Sequence, residues 1–331
     1  MMLINEGWIA ALALVAALIV GSFTIPWLRR LKMGQNIRSD GPKSHLSKAG
    51  TPIMGGLIFI AAAPAAMLAY RALTSRTTTA PEVLLMVFPA LYAVVGFVDD
   101  YLKVRKGRSL GLRAREKMAL QILFAALFMF AISATGRGSS IIVPFTGVQF
   151  DLGAFYGLFG VLVIVSAGNG VNLTDGLDGL ATGTTLVSLA AFYYIARVLG
   201  TLPKEPDLGP SVLAWIGSLV GFFFYNRHPA KVFMGDTGSN ALGALLAGIA
   251  ILSKTELVLL FLAGIPVIET LSDILQIASF QLFGRRIFKM APLHHHFELS
   301  GWKETRIVWM FWIAQAALAL LGIAGMALAG N

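Results

Sequence analysis

The feature that most constrains this chain is its succession of long apolar segments. Hydrophobic residues make up 56% of its 331 residues and charged residues 13%, about half the charged share of a typical water-soluble domain. A chain this apolar has too little polar surface to face water, so its main solvent must be lipid. The first apolar segment lacks the basic start of a secretory signal peptide and is predicted to be a transmembrane helix.

Ten candidate spans can be placed, at about 20 apolar residues per crossing. They predict an all-α, polytopic integral membrane protein in which residues 1–331 form a single transmembrane domain. The ninth span contains Gly264-Ile265-Pro266, which is expected to kink it. The spans are 7–28, 52–70, 83–98, 118–134, 153–168, 180–199, 211–225, 238–252, 257–283 and 307–329.

Lysine and arginine are distributed unevenly between the loops. Of 26 such residues, 20 follow spans one, three, seven or nine, and six lie in the other loops. Cytoplasmic loops are enriched in Lys and Arg, so the odd-numbered loops are predicted to be cytoplasmic and both termini external. Topology thus accounts for the net charge of +9, and no nucleic-acid partner is expected. The external segment Ser140–Leu152 is expected to form a short hairpin.

The histidines and most aspartates also fall on one side. All five histidines lie in loops predicted to be cytoplasmic. A solvated surface would scatter acids over both sides, so this bias indicates a functional cluster at the cytoplasmic face. The residues on that side are His45, His228, His294, His295, His296, Asp99, Asp100, Asp175, Asp178 and Asp236, whereas the external loops keep Asp151 and Asp207.

Two motifs carry paired carboxylates. Span three ends in Asp99 and Asp100, and acids at a helix C-terminus are disfavoured by the macrodipole. A metal or acid–base role is favoured over a pair of solvated acids. The segment Asn169–Gly179 places Asp175 and Asp178 three residues apart, on one face if the turn is helical. Its carboxylates and amides suit Mg²⁺, the alternative being an ordinary Asn/Gly/Asp turn.

Two further motifs suit phosphate or sugar binding. Asp236 precedes the glycine-rich start of span eight, where it would cap the helix or bind a phosphate or Mg²⁺–phosphate. The segment Pro292–Glu298 holds three consecutive histidines, which point in different directions on a helix and so disfavour zinc. Within span nine, Glu269, Asp273 and Gln276 share a face and are expected to face the bundle interior.

Together these motifs resemble the phospho-N-acetylmuramoyl-pentapeptide transferase family, a branch of the polyprenyl-phosphate N-acetylhexosamine-1-phosphate transferases. The Asp-Asp pair, NLTDGLDG and FMGDTGS are typical of the superfamily, whereas PLHHHFE and SHLSKAGTPIMGG are typical of the branch. The resemblance covers nearly the whole chain. It implies ten transmembrane helices, a cytoplasmic active site, external termini, a homodimer, Mg²⁺ dependence and a place in the bacterial inner (plasma) membrane.

The resemblance also implies a reaction. Phospho-MurNAc-pentapeptide would pass from UDP-MurNAc-pentapeptide to undecaprenyl phosphate, giving UMP and lipid I. This is the first membrane step of peptidoglycan synthesis, on which cell wall biogenesis, cell shape and division depend. The lipid phosphate would attack directly, or an aspartate would act as a covalent nucleophile in two displacements.

The resemblance assigns residue roles as well. Asp236 is expected to bind Mg²⁺ directly with Asp178 as a second ligand, and Asp99 to prepare or orient the lipid phosphate. The catalytic set is Asp99, Asp100, Asp178, Asp236 and His294. The substrate-binding set is Lys48, Lys103 and Lys117 for phosphates, Asn172, Asp175, Asn226, Phe233 and Gln276 for the nucleoside and sugar, and Ser239 and His295.

Two other functions stay open. A transferase using UDP-N-acetylglucosamine would share the superfamily motifs, but PLHHHFE argues against it. A membrane transporter would spread acids through midplane spans, often with repeated halves. Here no repeat is visible, and only Glu269 and Asp273 lie deep in a span.

Overall fold

The computed structural model describes residues 2–34, 48, 50–75, 77–107, 110–199 and 207–330, so part of the predicted Ser44–Gly56 motif lies outside the described residues. The described chain is mainly helical. The helices are α1 (Met2–Arg30), α2 (Gly56–Thr74), α3 (Ala80–Arg105), α4 (Ala114–Ser133), α5 (Tyr156–Thr174), α6 (Leu180–Tyr194), α7 (Gly209–Asn226), α8 (Gly235–Leu252), α9 (Leu259–Leu262), α10 (Gly264–Phe283), α11 (Leu293–Glu298) and α12 (Glu304–Ala329). A 3-10 turn at Gly153–Phe155 leads into α5, and a π-helical turn at Ile195–Leu199 extends α6.

Seven helices in the described part of the chain are long and apolar enough to cross a membrane. They are α1 to α6 and α12, with the short turns flanking α5 and α6 included. The predicted class, an all-α polytopic membrane protein, agrees with this. The other three predicted spans correspond to α7, α8 and the α9–α10 pair, so the count of ten and the external termini stay predictions.

The ninth predicted span is interrupted. Helix α9 ends at Leu262 and α10 starts at Gly264, with Ala263 between them at φ −116° and ψ 37°. The break lies directly before Ile265-Pro266, close to the predicted kink. The buried side chain of Gln315 in α12 binds one backbone group on each side of the break. Its Oε1 accepts a bond from Ile265 N at 2.9 Å, and its Nε2 donates to Leu262 O at 2.7 Å. A polar side chain on a neighbouring helix thus makes a break tolerable in an apolar setting.

Helix α8 forms the centre of the bundle. Every residue from Thr237 to Leu252 is buried, with α3 and α5 packed most extensively against it. Its composition, rich in glycine and alanine, permits this, since small residues let helix backbones approach closely. A Cβ at Gly243, for example, would lie 2.3 Å from the carbonyl oxygen of Ala167 in α5.

The predicted hairpin in Ser140–Leu152 is confirmed. Strands β1 (Ser140–Ile142) and β2 (Gln149–Asp151) pair antiparallel. Arg137, just before β1, forms an ion pair with Glu256 in the loop after α8, and Tyr156 Oη donates to the same carboxylate at 2.6 Å. These contacts hold the hairpin against the helix bundle.

The predicted orientation can be tested with single cysteines, since the chain has none. We expect Thr146→Cys, in the exposed turn of the hairpin, to react with a membrane-impermeant maleimide on intact cells. We expect Ser300→Cys, in the exposed loop after α11, to react only after the membrane is permeabilised. The opposite labelling pattern would contradict the orientation drawn from the lysine and arginine count.

Candidate active site

Three predicted aspartates meet where the end of α3 contacts the start of α8. Asp99 and Asp100 lie near the C-terminus of α3 and are buried, and Asp236 lies in the first turn of α8 and is half-buried. One carboxylate oxygen from each lies within 4.8 Å of the others. These residues, Asp99, Asp100 and Asp236, are called the three-acid cluster below.

Two glycines make this junction possible. A Cβ at Gly96 in α3 would lie 2.0 Å from the carbonyl oxygen of Asp236, so only glycine allows the two backbones to come this close. Gly235 has a positive φ of 69°, and a Cβ there would lie 2.4 Å from Asp100 Oδ2. The glycine-rich start of α8 is therefore needed for the approach of the acids.

Asp100 binds the N-terminus of α8 across this junction. Its carboxylate accepts bonds from Asp236 N at 3.2 Å, Thr237 N at 3.0 Å and Thr237 Oγ1 at 2.8 Å. The first backbone N–H groups of a helix have no intrahelical partner and favour an anion. The helix cap considered for Asp236 in the sequence is thus supplied by Asp100 from another helix.

Two lysines neutralise the three-acid cluster. Lys103 Nζ lies 2.7 Å from Asp99 Oδ2, 3.7 Å from Asp100 Oδ1 and 3.1 Å from Asp236 Oδ1. Lys117 Nζ lies 2.6 Å from Asp236 Oδ2. Both were predicted to bind phosphates, and both contact the predicted catalytic acids.

Two more predicted substrate-binding residues adjoin Asp236. Asn172 Nδ2 donates to Asp236 Oδ1 at 3.0 Å and to Ser239 Oγ at 2.7 Å. Lys117 Nζ reaches Asn172 Oδ1 at 3.4 Å. The end of α5 therefore joins the start of α8 in a single polar network around Asp236.

Asp178 lies in a second polar cluster. Its Oδ1 accepts from Lys48 Nζ at 2.7 Å, and its Oδ2 accepts from Ala230 N at 3.0 Å and lies 3.0 Å from His228 Nδ1. Glu304 Oε1 accepts from Lys48 Nζ at 2.5 Å and from Asp178 N at 2.7 Å. Lys48, Asp178, His228 and Glu304 are called the Asp178 cluster below. Asp178, predicted to share a metal with Asp236, thus belongs to a different group of side chains.

Lys48 is held firmly in its charged form. Burial lowers the pKa of its ammonium group, but the carboxylates of Glu304 and Asp178 outweigh burial and raise the pKa above its usual value. The ammonium group also lies 5.9 Å from the ring centroid of Phe233. The structure therefore brings the predicted phosphate ligand Lys48 close to Phe233, which was predicted to bind the nucleoside or sugar.

The turn that carries Asp175 and Asp178 is not helical. Helix α5 ends at Thr174 and α6 begins at Leu180, after Gly179 with a positive φ of 77°. The two aspartates therefore do not share a helix face, because the three-residue spacing has this meaning only within a helix.

The histidine-rich segment forms α11, and its first histidine is buried. His294 is 1% exposed, and its Nδ1 lies 3.2 Å from Glu269 Oε1 on α10. A Cβ at Gly176 would lie 2.1 Å from His294 Nε2, so this glycine lets the ring pack against the loop after α5. His295 Nδ1 lies 2.7 Å from Glu298 Oε2. The predicted contacts of His294 and His295 with substrate stay predictions.

Two predicted nucleoside ligands form hydrogen bonds with other parts of the protein. Asn226 accepts from Thr182 Oγ1 at 2.7 Å and donates to Val232 O at 3.1 Å, which shapes the loop between α7 and α8. Gln276 donates to Phe288 O at 2.9 Å and accepts from Phe288 N at 3.0 Å, which ties α10 to the chain leading into α11. Their side-chain amides are engaged by the protein itself.

Comparison with known proteins agrees with this architecture. Residues 83–254 match glycosyl transferase family 4. The chain is 46% identical over 323 residues to a phospho-N-acetylmuramoyl-pentapeptide-transferase of Desulfitobacterium hafniense, with 95% of each chain covered. Its identity to the protein of the same name from Desulforudis audaxviator is 48% over 327 residues, covering 96% of this chain and 97% of the relative.

The chain belongs to the phospho-N-acetylmuramoyl-pentapeptide transferase family.

In this member of the phospho-N-acetylmuramoyl-pentapeptide transferase family, three residues in or beside the two clusters were not among the predicted site residues. Glu304 and His228 belong to the Asp178 cluster, and Thr237 binds Asp100 through both its backbone and its hydroxyl. An acid in the first turn of a helix is common for electrostatic reasons alone, so the sequence around Glu304 carries no distinguishing signal. The available hint for His228 was its position in a loop predicted to be cytoplasmic.

Asp175 is electrostatically linked to both clusters of this transferase. Its pKa is raised well above 3.8 by burial first, and then by the negative charges of Asp236, Asp100 and Asp178. The folded protein therefore holds the Asp175 proton more tightly than the unfolded chain does. Stability is then lost as pH rises above 3.8 and through the raised pKa.

At neutral pH the charged Asp175 carboxylate lowers the stability of the folded protein, and Asp175→Asn removes that charge. We therefore expect the variant to unfold at a higher temperature than the wild type at neutral pH. The advantage should shrink as pH falls toward 3.8, where the wild-type carboxyl becomes neutral too. Thermal unfolding in detergent across a pH series measures this. Asp151→Asn is the control of opposite sign, since bonds from Ser139 and Gly153 lower the pKa of Asp151. A lower unfolding temperature for Asp175→Asn at neutral pH would contradict the argument.

Proposed function

We propose that this protein transfers phospho-MurNAc-pentapeptide from UDP-MurNAc-pentapeptide to undecaprenyl phosphate, releasing UMP and forming lipid I. The observation that carries the proposal is its similarity, over nearly its whole length, to enzymes named for this activity. The three-acid cluster and its lysines supply a polar site suited to phosphate chemistry. The proposal includes a bacterial plasma-membrane location, a cytoplasmic active site and a homodimer.

The reaction needs charge control more than covalent chemistry. An oxygen of the lipid phosphate attacks the sugar-proximal phosphorus of the diphosphate, and the bond from that phosphorus to the UMP oxygen breaks. Two polyanions must therefore be brought together and aligned. Lys103 and Lys117 are placed to bind phosphate oxygens, and each is already held at the three-acid cluster.

The acids of the three-acid cluster divide into different roles. Asp100 is engaged by the backbone of α8, so its role is to position Asp236. Asp99 accepts one bond from Leu112 N at 2.8 Å, and its other oxygen faces Lys103. Asp99 is our choice to orient the lipid phosphate, or to accept its proton when the monoester arrives singly ionised. Phosphate monoesters have a second pKa of about 6, so a strong base is not required.

The three-acid cluster also fits Mg²⁺. Its three carboxylate oxygens, within 4.8 Å of one another, are the hard ligands that this ion prefers. Asp236, with Asp99 or Asp100, would hold it. When bound, Mg²⁺ would neutralise the diphosphate and help UMP to leave. Lys103 contacts one oxygen of each acid and would compete with the ion for the cluster.

The substrate contacts proposed from the family extend around this centre. Phe233 would stack on the uracil base, with Asn172 and Asp175 close to the nucleoside and sugar. The lipid substrate would approach beside α10, whose outer surface is apolar: Ile274, Ile277 and Phe280 are each more than half exposed. Such a surface suits contact with lipid chains, because apolar groups facing a bilayer pay no hydration cost.

The direct test is UMP release by the purified protein. We expect release from UDP-MurNAc-pentapeptide only when undecaprenyl phosphate and Mg²⁺ are both present, because attack by the lipid phosphate frees UMP. UDP-N-acetylglucosamine is the comparison substrate, and we expect little release from it. Equal or greater release from UDP-N-acetylglucosamine would favour the rival transferase, and movement of substrate across the membrane without UMP release would favour a transporter.

The metal assignment is tested by Asp236→Asn. We expect turnover to be lost and binding of Mn²⁺, followed by electron paramagnetic resonance as a substitute for Mg²⁺, to weaken. The reason is that one of the charged oxygen ligands becomes neutral. Asp151→Asn, on the hairpin outside the site, is the matched control and should bind Mn²⁺ as the wild type does. Unchanged Mn²⁺ binding by Asp236→Asn would exclude Asp236 as a ligand.

A further inference from the structure

Glu304, the first residue of α12, joins four segments that are far apart in the sequence. Its Oε1 accepts from Lys48 Nζ at 2.5 Å and from the backbone N–H of Asp178 at 2.7 Å. Its Oε2 lies 3.6 Å from His228 Nδ1. The segment before α2, the loop after α5 and the loop after α7 thus all meet the start of the last helix at one carboxylate.

Lys48 depends on this carboxylate for its position. A lysine side chain has a flexible four-carbon stem, and by itself would sample many positions. Here the ammonium group lies between Asp178 Oδ1 at 2.7 Å and Glu304 Oε1 at 2.5 Å, with only 15% of the side chain exposed. The pair of carboxylates therefore fixes one placement, beside the ring of Phe233.

The loop that carries Asp178 depends on Glu304 as well. The turn between α5 and α6 is not helical, and the bond from Asp178 N to Glu304 fixes one point of it. The Glu304 carboxylate thus contacts and positions both partners of the Lys48–Asp178 ion pair. Lys48 is the cation that contacts both carboxylates of this group.

We propose that Glu304 is a positioning residue for the nucleotide-sugar site, which holds Lys48, directly and through its partner Asp178, in the arrangement that meets the substrate. The inference rests on the proposed function, which defines the substrate. The competing explanation is that Glu304 serves only the stability of α12, because an acid in the first turn of a helix interacts favourably with the macrodipole. The two explanations differ in whether the effect of Glu304 passes through Lys48.

A double-mutant cycle separates them, using the full-length purified protein and UMP release at saturating undecaprenyl phosphate and Mg²⁺. For Glu304→Ala we expect KM for UDP-MurNAc-pentapeptide to rise about tenfold, as contacting charged residues are often coupled to that extent, with a smaller change in kcat. Glu304→Gln should be intermediate, because its amide oxygen still accepts the two bonds. In the Lys48→Met background, Glu304→Ala should change KM by less than about twofold.

Glu116→Gln is the matched control. Glu116 lies in the first turn of α4 as Glu304 does in α12, so the substitution removes an acid from the same position in a helix. Glu116 is exposed. We expect wild-type KM and kcat for it. Thermal unfolding of each variant identifies any that fail to fold. If Glu304→Ala does not fold, the cycle is run with Glu304→Gln.

The outcomes are distinct. An increase in KM for Glu304→Ala that is equally large with and without Lys48 would overturn the positioning role, and so would an unchanged KM in both. An increase seen only when Lys48 is present would support it. If the wild type itself released no UMP, the proposed function would fail, whereas an active wild type with additive variants would overturn the positioning role alone.

Discussion

The close contact between the end of α3 and the start of α8 is the constraint on which the rest of the site depends. Without a side chain at Gly96, the α3 backbone reaches the first turn of α8, and Asp100 receives the N–H groups that this helix leaves unpaired. A buried carboxylate is costly unless hydrogen bonds replace its hydration. The start of α8 supplies those bonds. The same contact therefore stabilises Asp100, fixes the orientation of α8 and places Asp236 close to Asp99.

Three carboxylates this close together repel one another, so nearby cations are needed to offset their charge. Lys103 comes from the same helix as Asp99 and Asp100, one turn further on, and Lys117 comes from the start of α4. The groups that would bind substrate phosphates are thus also the groups that permit the acids to be buried. A polar site held in advance by its own ion pairs needs little rearrangement when a charged substrate arrives, which is the main electrostatic advantage that an enzyme has over water.

The sequence predicted the class of fold better than the grouping of the candidate site residues. Apolar segments, loop charges and local motifs are properties of contiguous residues, so the spans, the hairpin and the aspartate motifs could be recognised. Which aspartate joins which cluster depends on contacts between distant segments. Asp178 therefore lies with Glu304, a residue that no motif identified, and the spacing between Asp175 and Asp178 was misleading because the turn is not helical. Asn226 and Gln276, whose nucleoside roles the resemblance implies, bind backbone groups of Val232 and Phe288, and no motif indicates these contacts.

The two ends of the bundle use charge in different ways. Three arginines at the end opposite the site each form a buried or half-buried pair with a glutamate: Arg71 with Glu82, Arg137 with Glu256 and Arg197 with Glu6. Arginine can form several coplanar hydrogen bonds with a carboxylate and stays charged at every accessible pH. Such ion pairs are therefore permanent structural contacts. At the site, by contrast, the cations that contact the acids in the described part of the chain include Lys48, Lys103 and Lys117. A compact ammonium group on a flexible stem can exchange one oxygen for another, which is what a site that must accept and release phosphates requires.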